Sequence, residues 1–155
     1  KIKKGFSAAS WPGRLQFVHW KGFPILLDGA HNNHAATELA KERLNWCNEN
    51  TCMQWILAIQ STKDAPSIIR SLLRVNDIAW ILDIPNQRSW SREKLAISCP
   101  ELSNRLFHAE RIEVLFNYFY NNKNWPKPFP ILSGSLYFIG NLFTERIIDP
   151  KDIFF

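Results

Sequence analysis

Several features are missing from this chain, and each absence closes off a class of protein. No apolar run approaches the roughly 20 residues that a membrane-spanning helix needs. The basic start, residues 1–7, lacks the apolar segment of a secretory signal. Cys47, Cys52 and Cys99 are odd in number and fit neither a zinc ligand set nor a redox pair. Free thiols in a reducing cytoplasm are therefore expected. No Gly-x-x-x-x-Gly-Lys-[Ser/Thr] phosphate loop occurs, and no cluster of acids suits Mg²⁺ held with a triphosphate. No basic block with interleaved aromatics appears, which argues against nucleic acid. There is no internal repeat and no low-complexity tract.

What is present is an ordinary globular composition: 46% hydrophobic and 21% charged residues over 155 positions, enough for one domain with a core. The formal net charge is +5. It has two readings, solvated surface lysine and arginine or attraction toward phosphates and carboxylates. The first residue is Lys1 rather than Met, which reads as a segment cut from a longer protein. On that reading residues 1–10 are the remnant of a linker and residues 11–155 are the domain.

The pattern turns on residues 25–34. Ile25, Leu26 and Leu27 read as a buried strand ending in Asp28, Gly29, His31, Asn32 and Asn33. A helical pattern starts at once. Strand, polar turn and helix N-terminus is how an α/β domain builds an anion or nucleotide site. Upstream, Trp11-Pro12-Gly13 is a turn, residues 15–20 a strand and residues 21–24 a reversal. The return strand, residues 25–28, makes an antiparallel hairpin that brings Arg14 and Asp28 to one end.

Downstream, Ala36, Leu39, Ala40, Arg43, Leu44 and Cys47 recur at helical spacing. Residues 53–60 predict a central strand. Asp64 caps a helix carrying Pro66 in its first turn, an allowed place for proline. Residues 78–84 predict a strand covered on both faces. A short helix to residue 98 and a short strand at 106–108 follow. Ile112, Leu115, Phe116 and Phe119 then mark an amphipathic helix. Residues 129–132 predict the last core strand, and Gly134-Ser135 opens a final helix to about residue 143. The apolar end of the tail, Ile153-Phe154-Phe155, packs back on the body or against a missing partner. Strands alternating with helices imply a mostly parallel, Rossmann-like sheet flanked by helices, with the first hairpin as an antiparallel edge.

Five residues could carry chemistry. Asp28, at a strand's carboxyl end, can accept from the vicinal hydroxyls of a ribose, or it caps the helix or pairs with Arg14. Arg14 offers a planar fork suited to phosphate, or a salt bridge at a strand edge. His31, just before a helix, can hydrogen-bond to phosphate or ribose; a lone histidine is more often structural. His31 and His34 have no third ligand at sensible spacing, so no metal is expected there. Lys63 lies on a second strand-end loop. Ser135 can donate to a ligand carboxylate, or it is simply a helix cap.

Trp11-Pro12-Gly13-Arg14-Leu15-Gln16, Leu27-Asp28-Gly29-Ala30-His31-Asn32, Lys63-Asp64 and Gly134-Ser135-Leu136-Tyr137 occur in that order. Together they resemble the C-terminal domain of folylpolyglutamate synthase / dihydrofolate synthase, a relative of the Mur ligases. The likeness runs from residue 11 to about 142. It departs at Asn33, where the family often has proline, which bears on the turn but leaves Asp28 and His31 in place. The resemblance implies an ATP-dependent ligase that activates a dihydropteroate or folate carboxylate as an acyl phosphate. The amine of L-glutamate then attacks, releasing ADP and phosphate, with Mg²⁺ required. It implies that Arg14, Asp28 and His31 serve ATP, and that Lys63 and Ser135 serve glutamate. The metal ligands, the phosphate loop and the folate site would lie in a larger N-terminal domain not in this chain. A cytoplasmic monomer, inactive as an isolated domain, is the expectation. A Mur-type peptidoglycan ligase domain and a non-catalytic nucleotide-binding module remain as alternatives. Gly29-Ala30, between the acid and His31, favours the folate branch.

Overall fold

The computed structural model describes residues 13–154. The linker reading of residues 1–10, the turn at Trp11-Pro12 and the terminal Phe155 lie outside them. The hairpin expected at the start is present as β1 (Gln16–Trp20) and β2 (Phe23–Asp28). Its turn has only two residues, Lys21 and Gly22, with φ of 48° and 83°. Positive φ at both central positions is the conformation whose twist matches paired strands. The pairing therefore starts at Trp20↔Phe23, so Phe23 and Pro24 belong to the strand, not the reversal. Register then runs back to Gln16↔Leu27 and sets Asp28 level with residue 15.

The remaining strands are β3 (Gln54–Leu57), β4 (Ile78–Ile81), β5 (Leu106–His108), β6 (Ile131–Ser133) and β7 (Ile153–Phe154). One sheet holds all seven in the order β5-β4-β3-β6-β2-β1-β7. Every pairing from β5 across to β2 is parallel; β2–β1 and β1–β7 are antiparallel. The tail thus does pack back, as the outermost strand, and the hairpin's β1 lies one place inside the edge.

Among the described residues five α-helices flank the sheet: α1 (Asn33–Glu42), α2 (Ala65–Leu72), α3 (Arg92–Ser98), α4 (Ile112–Asn121) and α5 (Leu136–Thr144). Alternate strand residues point to opposite faces, so each central strand feeds two cores. Leu26, Trp55, Leu57 and Ile131 join Leu39, Ile68, Ile69 and Leu95 under α1, α2 and α3. Ile25, Leu27, Ile56 and Leu132 join Leu115, Phe116, Phe119 and Ile139 under α4 and α5.

Helix α1 is shorter than its spacing predicts. It stops at Glu42 and tightens into a 3-10 turn, Arg43–Asn45, which leaves Leu44 67% exposed. Arg43 is buried instead. Its guanidinium bonds both oxygens of Asp77, and its Nη2 also donates to Thr51 O at 2.6 Å. Asp77 further accepts from Met53 N, Arg74 N and Trp55 Nε1, tying the end of α1 to the starts of β3 and β4.

Candidate functional site

The parallel register aligns Asp28, Ser133, Leu57, Ile81 and His108 along one sheet edge, the carboxyl ends of five strands. Loops leaving that edge are where open α/β sheets bind ligands. At its β2 end is a hollow of about 700 Å³, lined among others by Arg14, Asp28 and His31. That is a usual size for a small-molecule site, ~300–1,000 Å³. The three residues read from sequence as one site are thus brought together.

Asp28 is buried, 8% exposed, with its carboxylate at the hollow. Oδ2 accepts from Leu15 N at 3.1 Å and Oδ1 from Ala30 N at 2.9 Å. Each oxygen keeps a further lone pair for a ligand hydroxyl. The helix-cap alternative falls away, because Asn32 caps α1, accepting from Ala35 N at 2.8 Å. Among the described residues no ion pair joins Asp28 to Arg14, whose side chain is exposed. Burial pushes the Asp28 carboxyl above its ordinary value. The two backbone N–H groups and the Arg14 charge oppose that rise; Glu42 adds to it.

His31 bonds through Nδ1 to Gly29 O at 2.8 Å. A carbonyl only accepts, so Nδ1 carries the hydrogen and Nε2 is left for a ligand. Nε2 is a ring nitrogen within the hollow that can hydrogen-bond a ribose hydroxyl.

Lys63 and Ser135 leave the same sheet edge but do not line this hollow. Lys63 is half-buried on the β3–α2 loop; its carbonyl accepts from Trp90 Nε1 at 3.0 Å. Ser135 is buried and caps α5, accepting from Phe138 N at 3.2 Å. Asp64 caps α2 as expected, accepting from Ser67 N.

Sequence reasoning missed His34, Glu38 and Glu42, which also line the hollow. Their spacing of four places them on one face of α1, and that spacing was the available signal. Among the described residues no group of three or more His, Cys, Asp or Glu side chains is placed to hold a metal ion.

Comparisons with known proteins bear on the family and the fold. The family described as dihydrofolate synthetase, C-terminal domain, matches residues 14–145. A probable dihydrofolate synthetase of Schizosaccharomyces pombe is 41% identical over 78 residues, 49% of this chain and 19% of that protein. The dihydrofolate synthase/folylpolyglutamate synthase of Bacillus subtilis is 26% identical over 141 residues, 91% of this chain and 32% of that protein. A bifunctional folylpolyglutamate synthase/dihydrofolate synthase solved with Mn, AMPPNP and L-glutamate bound superposes with a TM-score of 0.71 at 21% identity. That match covers 94% of this chain and 34% of the other; it establishes the fold. The chain spans about a third or less of the length of these proteins. A family match over residues 14–145, on a mostly parallel sheet with an antiparallel hairpin, leaves one conclusion: the chain belongs to the dihydrofolate synthetase C-terminal domain family.

Proposed function

We propose that this chain is the nucleotide- and glutamate-binding part of an ATP-dependent ligase that adds L-glutamate to dihydropteroate or folate. The observation that carries the reading is the meeting of Arg14, Asp28 and His31 in one hollow at the strand edge. In it, Asp28 accepts from the ribose hydroxyls through its free lone pairs, aimed by the Leu15 and Ala30 amides. Nε2 of His31 accepts from ribose, and the exposed Arg14 fork meets phosphate. Lys63 pairs with a glutamate carboxylate and Ser135 donates to it. In support, the Lys63 ammonium has no carboxylate partner among the described residues.

In the full protein the substrate carboxylate is activated as an acyl phosphate before the glutamate amine attacks. Mg²⁺ is held by residues outside this chain, as is the folate. The relative solved with Mn, AMPPNP and L-glutamate supports that ligand set. On this reading the protein works in the cytoplasm, where its three cysteines stay free thiols.

In the complete protein, Arg14→Ala and Asp28→Ala should each raise the KM for ATP at least about tenfold, as loss of a charge-assisted contact does. The KM for the folate substrate should stay within about twofold. Unchanged ATP kinetics in both variants overturns the reading. Complementation of a folate-ligase-deficient strain separates it from a Mur-type acceptor.

A further inference from the structure

The β3–α2 loop, residues 58–64, carries Lys63 and closes on itself through Lys63 N, which donates to Gln60 O at 3.0 Å. A neighbouring loop, β4–α3, residues 82–91, fixes where it lies. Gln60 and Ser89 form an antiparallel bridge between the two. The backbone bonds of that bridge are Ser61 N to Arg88 O and Trp90 N to Ile59 O, both 2.9 Å. Gln60 Nε2 donates to Gln87 Oε1. Trp90 makes the contact that reaches furthest along the loop: its Nε1 donates to the carbonyl of Lys63 itself at 3.0 Å.

These contacts differ in how far they depend on side chains. The bridge uses backbone groups that almost any residues supply. The bond to Lys63 needs an N–H on the edge of an aromatic ring, which is what an indole offers. The Trp90 ring is half-buried and packs against the core under α1, α2 and α3, so its place is set by that core. The indole thereby ties the Lys63 backbone to the body of the domain. The Lys63 ammonium has no carboxylate partner among the described residues. A long, unpaired side chain loses rotamer freedom when it engages a ligand. Fixing the backbone from which it springs reduces what must be ordered on binding.

We propose that Trp90 is a positioning residue for glutamate recognition: its indole N–H holds Lys63 so that the ammonium meets a carboxylate of the incoming amino acid. Trp90 itself touches no substrate. The inference rests on the reading of Lys63 above and adds to it a residue from a second loop. Its distinguishing consequence is that the effect of Trp90 on glutamate passes through Lys63.

The test uses the complete protein. Trp90→Phe removes the N–H and keeps an aromatic ring on the core. A second variant carries benzothienylalanine in place of Trp90, with the shape of the indole and sulfur where the N–H was. The expected result in both is a KM for glutamate raised about three- to tenfold, the loss of one hydrogen bond, with kcat and the KM for ATP within about twofold. In a Lys63→Ala background, where the KM for glutamate is already raised, neither change should raise it further. An unchanged KM for glutamate in the benzothienylalanine variant overturns the inference. So does an equal rise for ATP, or a rise that persists in full in the Lys63→Ala background. Each of these leaves the reading of Lys63 intact when Lys63→Ala by itself raises the KM for glutamate. Normal glutamate kinetics in Lys63→Ala overturns that reading, and the inference with it.

Discussion

At the scale of single residues, Asp28 sets the behaviour of the site. Its carboxyl is raised by burial, and Arg14 is among the groups that hold the rise in check. A carboxyl raised on folding contributes stability that is fully present below its unfolded pKa, near the ordinary 3.8. That contribution is lost as pH rises through the higher folded value. Ligand binding runs the other way, because the ionised form is the better acceptor for ribose hydroxyls. Arg14→Ala removes an opposing charge and should move the Asp28 titration, followed by carboxyl NMR, further upward. Asp28→Asn should abolish the fall in stability across that window. A titration unmoved by Arg14→Ala would separate the two groups. Asp28, Arg14 and His31 were legible as a set because hairpin register depends on few residues. The left-handed backbone at Leu15 was not, since it arises from a bond to Asp28 thirteen residues away.

At the scale of elements, the β6–α5 junction places one demand on each of its two residues. Gly134 has φ +109°, and a Cβ there would come within 2.5 Å of Ala58 O, so β6 turns into α5 hard against the end of β3. Ser135 then caps α5. Ser135→Ala should cost about 1 kcal/mol in denaturant unfolding through loss of the cap. If the hydroxyl also serves glutamate, the variant's KM for glutamate rises while its KM for ATP does not. A pure stability loss assigns Ser135 to the cap alone. The α-helices and parallel strands were readable because apolar periodicity is local: Ile68, Ile69 and Leu72, or Ile112, Leu115, Phe116 and Phe119, announce their faces. Two features were not. The Arg43–Asp77 pair joins positions 34 apart and truncates α1 where spacing alone continues it. β7 has two residues, too few for any period, and owes its place to β1.

At the scale of the molecule, charge and fold pull apart. The chain carries a formal +5, yet among the described residues lining the hollow one guanidinium, Arg14, stands with three carboxyl groups, Asp28, Glu38 and Glu42. Lys41 engages Glu38 at 2.8 Å but does not line the hollow. Such a hollow suits ribose hydroxyls; it does not neutralise a triphosphate. Two closed cores, one on each face of the sheet, give the chain what it needs to fold by itself. The isolated chain should therefore be folded and bind nucleotide weakly, with ATP and ADP within about tenfold of each other, because phosphates beyond the one that Arg14 meets add little here. It should show no ligase turnover, since metal and folate are held elsewhere on this reading. Calorimetry on the isolated chain showing tight, Mg²⁺-dependent ATP binding that ADP does not match would overturn this. It would require a triphosphate site on this chain apart from the hollow that Arg14 shares with three acids.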